Sequence, residues 1–414
     1  MNDDHYKKSP WQDLWNRLLN CFWWILSLLR SSVQKVHSGP AITLDTGRRV
    51  RLGKLLAEGG FSFVFEATED LSSSSNSNNN NNNNSQRPGA PSSSSSLTPK
   101  QYALKQIRCP EPSMLTACRQ EASVHRSAHG HPNLLPLLGF TVTENVAYML
   151  FPKMNRSLRD EINYRILDAP GDVYNITRPP WNEVDVLNLF VGITRGVQAL
   201  HSSTQLSHRD IKVENVMFEH PNTIRTPVLM DFGSVGPLRE DIETRRQVMT
   251  LIDQAAQHTT ISYRPPELFE GGMRQETGGV CDYTKVDVWS LGCSFFAVLY
   301  GASPSECEFA RSNNGRLRIV DCTQLKVMGG LPTLPPGCPA TSWYSADTLK
   351  LIEQMLTQDR HQRPSVGHVL SVLESIIHKL GGRVVELEKT RDDLDDDEND
   401  DDLDSLLNSN RGFP

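Results

Sequence analysis

Two short motifs contain the residues whose chemistry is most readily interpreted. The first is HRDIKVEN at residues 208–215, and the second is DFG at residues 231–233. Asn215 and Asp231 supply hard oxygen atoms of the kind that Mg²⁺ prefers, and Mg²⁺ bridges the phosphates of a nucleotide in many transfer enzymes. These two residues are therefore candidate metal ligands.

The first motif also contains two residues suited to phosphoryl transfer. Asp210 can accept a hydroxyl proton and aim that oxygen at a γ-phosphorus atom. Lys212 can stabilise the charge on the transferring group. Two strand-like runs, at residues 216–218 and 228–230, lie between the motifs. A hairpin of these runs would bring both motifs to one site.

Two segments nearer the N-terminus are suited to holding phosphates. Residues 56–64, LAEGGFSFV, lie between strand-like runs, and their small residues let backbone N–H groups approach phosphate oxygens. Lys105 lies in an alternating apolar strand, where lysine is rarely buried unpaired, and Glu121 follows in a helical stretch. An ordinary glycine turn and an exposed strand lysine are the alternatives, because each segment alone is weak evidence.

Together these motifs resemble the eukaryotic protein kinases over residues 48–380. The resemblance implies an α+β, two-lobed fold with a small β-rich lobe and a larger helical lobe. It also implies ATP and Mg²⁺ as cofactors and proteins as substrates. The implied site has Asp210 and Lys212 as catalytic residues, Asn215 and Asp231 as metal ligands, and ATP-binding residues Ala57, Gly59, Gly60, Val64, Ala103, Lys105, Glu121 and Met154.

Later motifs extend the resemblance. PPE at residues 265–267 stands where kinases have Ala-Pro-Glu, and DVWSLG at 287–292 and HQRP at 361–364 also match. In the family, the equivalents of Glu267 and Arg363 form a buried ion pair in the large lobe. The expected hinge is at residues 151–154, with Phe151 as the gatekeeper.

Sequence details narrow the family further. Lys212 together with Thr260 resembles serine/threonine kinases rather than tyrosine kinases. AEGGFSFV, PVLMDFGS and TISYRPPELF resemble the Numb-associated kinases, and in particular their lipidated, Golgi-associated branch. That branch has an extra helix in its activation segment, for which residues 245–258 are the counterpart. A pseudokinase scaffold is the alternative, although the lysine, the catalytic aspartate and both metal ligands are present.

Composition and periodicity agree with a large folded domain. The chain has 414 residues, 38% of them hydrophobic and 22% charged, which is enough for an extensive core. Strand-like runs come first, at residues 63–66 and 101–107, and helical periodicity follows. Helices are predicted at residues 184–201, 286–300, 346–357 and 366–380.

Residues 1–38 are predicted to form an amphipathic membrane-interface segment. Apolar residues recur with helical spacing along residues 11–29, and four of the seven tryptophans lie there. The charge-free stretch 18–29 is shorter than the ~20 residues that a spanning helix needs. Asn2 excludes N-myristoylation, and Cys21 is a palmitoylation candidate. The alternatives are a helix that docks on the folded domain and a signal peptide.

Two low-complexity segments are predicted to be disordered. Residues 72–98, rich in Ser and Asn, interrupt two strands of the small lobe, and residues 386–414 form an acidic tail. The tail includes ten acids at 392–404, so the net charge of −7 becomes about +3 without them (−7 + 10). Its sequence DLDSLL, at 402–407, resembles an acidic dileucine signal for clathrin adaptors, the alternative being a plain solubilising tail.

The eight cysteines are scattered and contain no C-x-x-C pair, which favours reduced thiols over structural zinc. No nucleic-acid partner is expected. By resemblance, we expect a cytoplasmic, peripheral membrane protein of the Golgi or another endomembrane, acting in vesicle or secretory traffic.

Overall fold

The computed structural model describes residues 41–59, 61–70, 100–167, 179–219, 226–270, 272, 279–309, 317–332 and 342–386. The predicted amphipathic segment, the Ser/Asn-rich tract and the acidic run lie outside these residues, so those expectations stay predictions. Among the helices described, none is long and apolar enough to cross a membrane.

A six-stranded antiparallel sheet forms the smaller lobe, in the order β1-β2-β3-β4-β6-β5. Its strands β3 and β4 pair directly, with Val64 opposite Lys105, although residues 72–98 separate them in the sequence. The strands are β1 (Ile42–Thr43), β2 (Arg49–Glu58), β3 (Ser62–Glu69), β4 (Gln101–Arg108), β5 (Gly139–Thr143) and β6 (Val146–Pro152).

Helix α1 (Pro112–Ser127) packs against this sheet. Pro112 suits the first turn, where the missing N–H would have no intrahelical partner. The buried face of the helix brings Cys118 and Ala122 against Met149 of β6. The same face carries Glu121 inward, where only 7% of the residue is exposed. The packing of α1 therefore directs a carboxylate towards strand β4.

The larger lobe is built around two buried helices, α3 (Glu183–Thr204) and α5 (Tyr283–Tyr300). Both begin at a polar cap, since the side chains of Asn182 and Asp282 accept hydrogen bonds from first-turn N–H groups. Helix α5 ends at Gly301, whose φ of 96° suits glycine. The remaining helices are α2 (Leu158–Ile162), α4 (Arg245–His258), α6 (Gln324–Met328), α7 (Ala346–Met355) and α8 (Val366–Lys379).

Short strands tie the loops of the larger lobe together. In chain order they are β7 (Arg156–Ser157), β8 (Leu206–Ser207), β9 (Val216–Phe218), β10 (Pro227–Leu229), β11 (Gly236–Pro237), β12 (Arg239–Ile242), β13 (Gly279–Asp282), β14 (Cys307–Phe309) and β15 (Leu317–Ile319). The hairpin expected between the two catalytic motifs is confirmed, because β9 and β10 pair antiparallel. Strand β8 pairs with β11, and β12 pairs with β13.

The predicted α+β fold with a sheet-rich lobe and a helical lobe is confirmed, as are the four predicted helices of the larger lobe. The helix expected at residues 245–258 is also present as α4. Thr244 and Gln247 cap it reciprocally, and Val248, Leu251 and Ala255 pack on the start of α5.

The packed region extends beyond the expected range of 48–380 at both ends. Leu44 is buried in the small lobe. After α8, the chain runs back along α3, where Val385 N donates to Asn188 Oδ1 at 2.8 Å and Arg195 NH1 donates to Val385 O at 3.1 Å. The fold thus includes residues up to Glu386.

The expected buried ion pair of the larger lobe is present. Both guanidinium NH groups of Arg363 meet the Glu267 carboxylate, at 2.6 and 2.7 Å. Arg363 also donates to the carbonyls of Thr357, Gln358 and Lys285. The pair joins the end of the activation segment to the loop between α7 and α8.

We expect Arg363→Met to destabilise the protein by about 3–5 kcal/mol, because it leaves the Glu267 carboxylate buried without its partner. Urea unfolding of purified protein measures this change. The control is Lys379→Met, which removes an exposed ion pair with Asp347 and is expected to leave the midpoint nearly unchanged. Equal, small effects of both variants would contradict the prediction.

Candidate active site

Asp287, at the first turns of α5, anchors the HRDIKVEN motif. Its carboxylate accepts hydrogen bonds from Ser207 Oγ at 3.0 Å and from the N–H groups of His208 and Arg209 at 2.9 Å each. Burial opposes ionisation of Asp287, but the hydrogen bond with His201 and nearby positive charge lower its pKa overall. A buried carboxylate on a rigid helix therefore fixes the backbone of the loop.

Two residues of the site adopt left-handed backbone conformations. Arg209 and Asp231 both have a backbone φ of 67°, a value that residues other than glycine seldom adopt. Such conformations persist only where the surroundings enforce them, and they concentrate at functional sites. Here the first such residue directly precedes Asp210, and the second is Asp231 itself.

Asp210 is held on both carboxylate oxygens. Oδ1 accepts hydrogen bonds from Thr260 N at 2.9 Å and from Thr260 Oγ1 at 2.7 Å. Oδ2 accepts from Lys212 Nζ at 2.7 Å, and the same ammonium donates to Thr260 Oγ1 at 2.9 Å. The structure thus joins the two proposed catalytic residues and links them to the activation segment through Thr260.

Lys105, Glu121 and Asp231 form a second charged group. Lys105 Nζ lies 2.7 Å from Glu121 Oε1 and 3.7 Å from Asp231 Oδ1. Burial alone would lower the pKa of Lys105, but the two carboxylates outweigh it and raise the pKa. Burial would likewise raise the pKa of Asp231, but the Lys105 ammonium and other cations lower it. The lysine is therefore cationic and the aspartate anionic at neutral pH.

Asn215 and Asp231 fit a magnesium site by the chemistry of their donors. Asn215 Nδ2 donates to Asp210 O at 2.9 Å, so the amide oxygen remains available as a ligand. Met230 N donates to Asn215 O at 2.9 Å and joins the segments that carry the two residues. No cluster of three His, Cys, Asp or Glu is found in the described part of the chain. Two protein oxygens suffice, since Mg²⁺ is usually completed by water and substrate phosphates.

The glycine-rich segment forms a tight hairpin between β2 and β3. Ala57 lies opposite Val64, and Gly59 N donates to Ser62 O at 2.7 Å. A Cβ atom on Gly59 would lie 3.0 Å from Ser62 Oγ, so the turn has little room for a side chain. Gly60 lies outside the described residues.

Ala103, Phe151 and Met154 lie where the two lobes connect. Ala103 of β4 pairs with Phe151 at the end of β6. Phe151 is buried, and Met154 packs against the core of the small lobe. This region is where the sequence predicted a hinge, and it brings together the predicted ATP-binding residues Ala103 and Met154.

Residues 92–373, more than half of the chain, match the protein kinase domain family. The chain belongs to the protein kinase family. Human serine/threonine-protein kinase 16 is 34% identical over 280 residues, which is 66% of this chain and 81% of that protein. The rat protein of the same name is also 34% identical over 280 residues. Serine/threonine-protein kinase ENV7 of Saccharomyces cerevisiae is 24% identical over 380 residues, 80% of this chain and 92% of that protein.

The protein is therefore a serine/threonine protein kinase. Members of this family generally use ATP and Mg²⁺. The matched residues begin after the glycine-rich hairpin, but the sheet pairs that hairpin directly with the strand of Lys105. Placement in the Numb-associated branch stays a prediction.

The structure also places His125, a residue that the sequence did not single out, in a cluster of rings at the site. The His125 ring of α1 lies 4.4 Å from the ring of Phe232 and 5.0 Å from that of Phe151. Phe232 meets the His208 ring edge-on at 5.7 Å. This stack connects α1, the DFG motif and the catalytic loop. The only local signal was the position of His125 four residues after Glu121, on the same face of the helix.

His125 predicts an acid-dependent loss of stability. Burial lowers the pKa of this imidazole from 6.5 to about 4. Between these pH values the unfolded chain binds a proton that the folded chain does not. The contribution of His125 to the free energy of unfolding is therefore fully present above pH 6.5 and is lost as the pH falls towards 4. The free energy of unfolding should therefore decrease by up to about 3 kcal/mol between pH 6.5 and pH 4, and we expect His125→Leu to remove this pH dependence.

Urea unfolding across this pH range measures the effect. The matched control is His368→Leu, because His368 is exposed on α8. The prediction fails if both variants retain the wild-type pH profile.

Proposed function

We propose that the kinase is catalytically active and transfers the γ-phosphoryl group of ATP to serine and threonine hydroxyls of proteins. The observation that carries this proposal is the 2.7 Å contact between Lys105 Nζ and Glu121 Oε1, with Asp231 beside the same ammonium. In kinases, this ion pair and the metal-binding aspartate must both be in place for catalysis. The arrangement argues against a pseudokinase scaffold.

In this mechanism each residue has one role. Lys105, held by Glu121, binds the α- and β-phosphates of ATP. Asp210 orients the substrate hydroxyl and accepts its proton as the oxygen attacks the γ-phosphorus atom, while the bond from that atom to the β–γ bridging oxygen breaks and ADP leaves. Lys212, 2.7 Å from Asp210, donates to the transferring group and balances its charge. Asn215 and Asp231 would hold Mg²⁺, which would neutralise negative charge on the phosphates.

A phosphotransfer assay tests this proposal. The purified 414-residue chain is incubated with radiolabelled Mg-ATP and a mixture of generic protein substrates, and phosphoamino acid analysis follows. We expect label on serine and threonine and none on tyrosine. Absence of transfer, in a preparation whose melting temperature rises with Mg-ATP, would support the pseudokinase alternative.

We further propose that residues 11–29 attach the kinase to a membrane surface. The support is the apolar stripe of this segment and its four tryptophans, a residue type that favours the headgroup region of a bilayer. Basic residues around the segment are spread out, so binding should depend on apolar burial and survive moderate salt. The expected location is the cytoplasmic face of the Golgi or another endomembrane.

Liposome flotation of the full chain tests this attachment. Replacement of Trp15, Phe22 and Ile25 by Ser is expected to release the protein and leave kinase activity intact. Ser substitutions at Asn16 and Asn20, on the polar face of the predicted helix, are the control. If the triple Ser variant of Trp15, Phe22 and Ile25 still floats with liposomes but its kinase domain is unfolded, the segment packs on the kinase domain and the proposal is wrong.

The acidic tail supports a narrower proposal, that residues 402–407 bind clathrin adaptors and connect the kinase with vesicle or secretory traffic. Its support is the acidic dileucine pattern, a short motif that also arises by chance. Replacement of Leu406 and Leu407 by Ala is expected to reduce binding of purified adaptor complex to the full chain. No binding by the wild-type tail would refute the idea.

A further inference from the structure

Arg209, which precedes the catalytic Asp210, has an unusual set of partners. Kinase activation segments are often ordered by arginines that pair with a phosphorylated residue of the segment. In the part of the chain that the structure describes, no carboxylate forms an ion pair with Arg209. Its guanidinium carbon instead lies 3.6 Å from the centre of the Tyr283 ring. This distance corresponds to a stacked cation–π contact.

The activation segment encloses the same guanidinium from the other side. Arg209 NH2 donates to Pro237 O at 2.9 Å. A Cβ atom on Gly236 would lie only 2.2–2.6 Å from the guanidinium atoms, so the backbone at Gly236 approaches as closely as glycine alone permits. Strand β11, which contains both residues, pairs with β8 just before the catalytic loop. Arg209 thus connects the start of the activation segment to Asp210.

Tyr283 is itself held firmly by neighbouring elements. The residue is only 2% exposed, and its N–H donates to Leu238 O at 2.8 Å. Its carbonyl accepts from Ser207 Oγ at 3.3 Å, and its hydroxyl donates to Glu240 Oε2 at 3.3 Å. These contacts hold the ring against Arg209. The start of α5 and the pairing of β12 with β13 determine that position.

We propose that Tyr283 is a positioning residue for phosphoryl transfer, and that its ring occupies the place of an activation-segment phosphate on Arg209. The stack holds residues 236–240 against the catalytic loop and thereby aligns Asp210 without phosphorylation. Tyr283 acts through Arg209 and does not touch the substrate. The inference rests on the proposed kinase activity and adds how that site is kept in its working arrangement.

Two variants distinguish the effect of the Tyr283 ring from the effects of its volume and of its hydroxyl group. Tyr283→Leu keeps apolar volume but removes the stack, whereas Tyr283→Phe keeps the ring and loses only the hydroxyl. We expect the Leu variant of the full chain to lose about 10- to 100-fold in kcat with little change in the KM for ATP, because misalignment affects the transfer step. The Phe variant is expected to stay within about twofold of wild type. A Leu variant with wild-type kcat would overturn the proposal.

A second measurement does not depend on kinase activity. Trypsin cleavage after Arg239, an exposed residue of β12, is followed by mass spectrometry. Cleavage should be about tenfold faster in the Leu variant than in wild type, since local opening exposes the segment, and unchanged in the Phe variant. Equal cleavage rates in all three proteins would overturn the proposal. If only the Leu variant is cleaved faster but the wild type transfers no phosphate, the proposed function alone is refuted.

Wild-type protein supplies a test that needs no variant. After complete dephosphorylation by a phosphatase, verified by mass spectrometry, we expect kcat to remain within about twofold of the untreated value, since no phosphate is needed on Arg209. A loss of most activity would show that Arg209 requires a phosphate and would overturn the proposal, even if Tyr283→Leu failed to fold.

Discussion

Asp210→Asn lowers kcat by about 10²–10⁴-fold, because the substrate hydroxyl loses the carboxylate that orients it and accepts its proton. The amide is close in size to the carboxylate, and its oxygen can still accept from Thr260, which now bonds Oδ1 at 2.7 and 2.9 Å. Folding and nucleotide binding are therefore expected to persist. Steady-state phosphotransfer measures kcat, and a thermal shift with Mg-ATP measures binding.

The matched control is Asp253→Asn, which makes the same chemical change on the exposed face of α4. We expect this variant to be as active as wild type. Near-wild-type transfer by Asp210→Asn would remove Asp210 from the mechanism.

Lys105→Met abolishes most phosphotransfer by a different route. Loss of the ammonium removes the partner of the Glu121 and Asp231 carboxylates, which lie 2.7 and 3.7 Å away. The phosphates then lose a positioned cation, for which a cost of about 10²–10³-fold in kcat is expected by analogy with other preorganised charges. Asp231→Ala should be at least as severe, because it removes a candidate metal ligand.

Thermal shifts distinguish these two variants. Lys105→Met should weaken the stabilisation by Mg-ATP, and Asp231→Ala should remove the part of that stabilisation that depends on Mg²⁺. Lys54→Met, which changes an exposed lysine of strand β2 in the same sheet, is the control and should behave as wild type. If both active-site variants retain the full Mg-ATP shift, the nucleotide site lies elsewhere.

The sequence alone determined the elements whose signals are local. Helix α4 was predicted because residues 245–258 correspond to the extra helix of the kinase branch that the chain resembles, and because Val248, Leu251 and Ala255 recur at helical spacing. The hairpin between the catalytic motifs was predictable because two β-prone runs flank a short connection. The roles proposed for Asp210, Asn215 and Asp231 also come from sequence, since residue type and spacing restrict the chemistry that each can perform.

Only the tertiary structure decided which distant side chains meet. Thr260 bonds Asp210 across 50 residues, and Asp287 fixes the catalytic loop from nearly 80 residues away. The Tyr283 ring reaches Arg209 only because the start of α5 packs beside the activation segment. Such contacts have no periodic or capping signature, because they depend on how whole elements pack rather than on neighbouring residues. A sequence therefore specifies the chemistry of this site, whereas the packing of both lobes supplies its geometry.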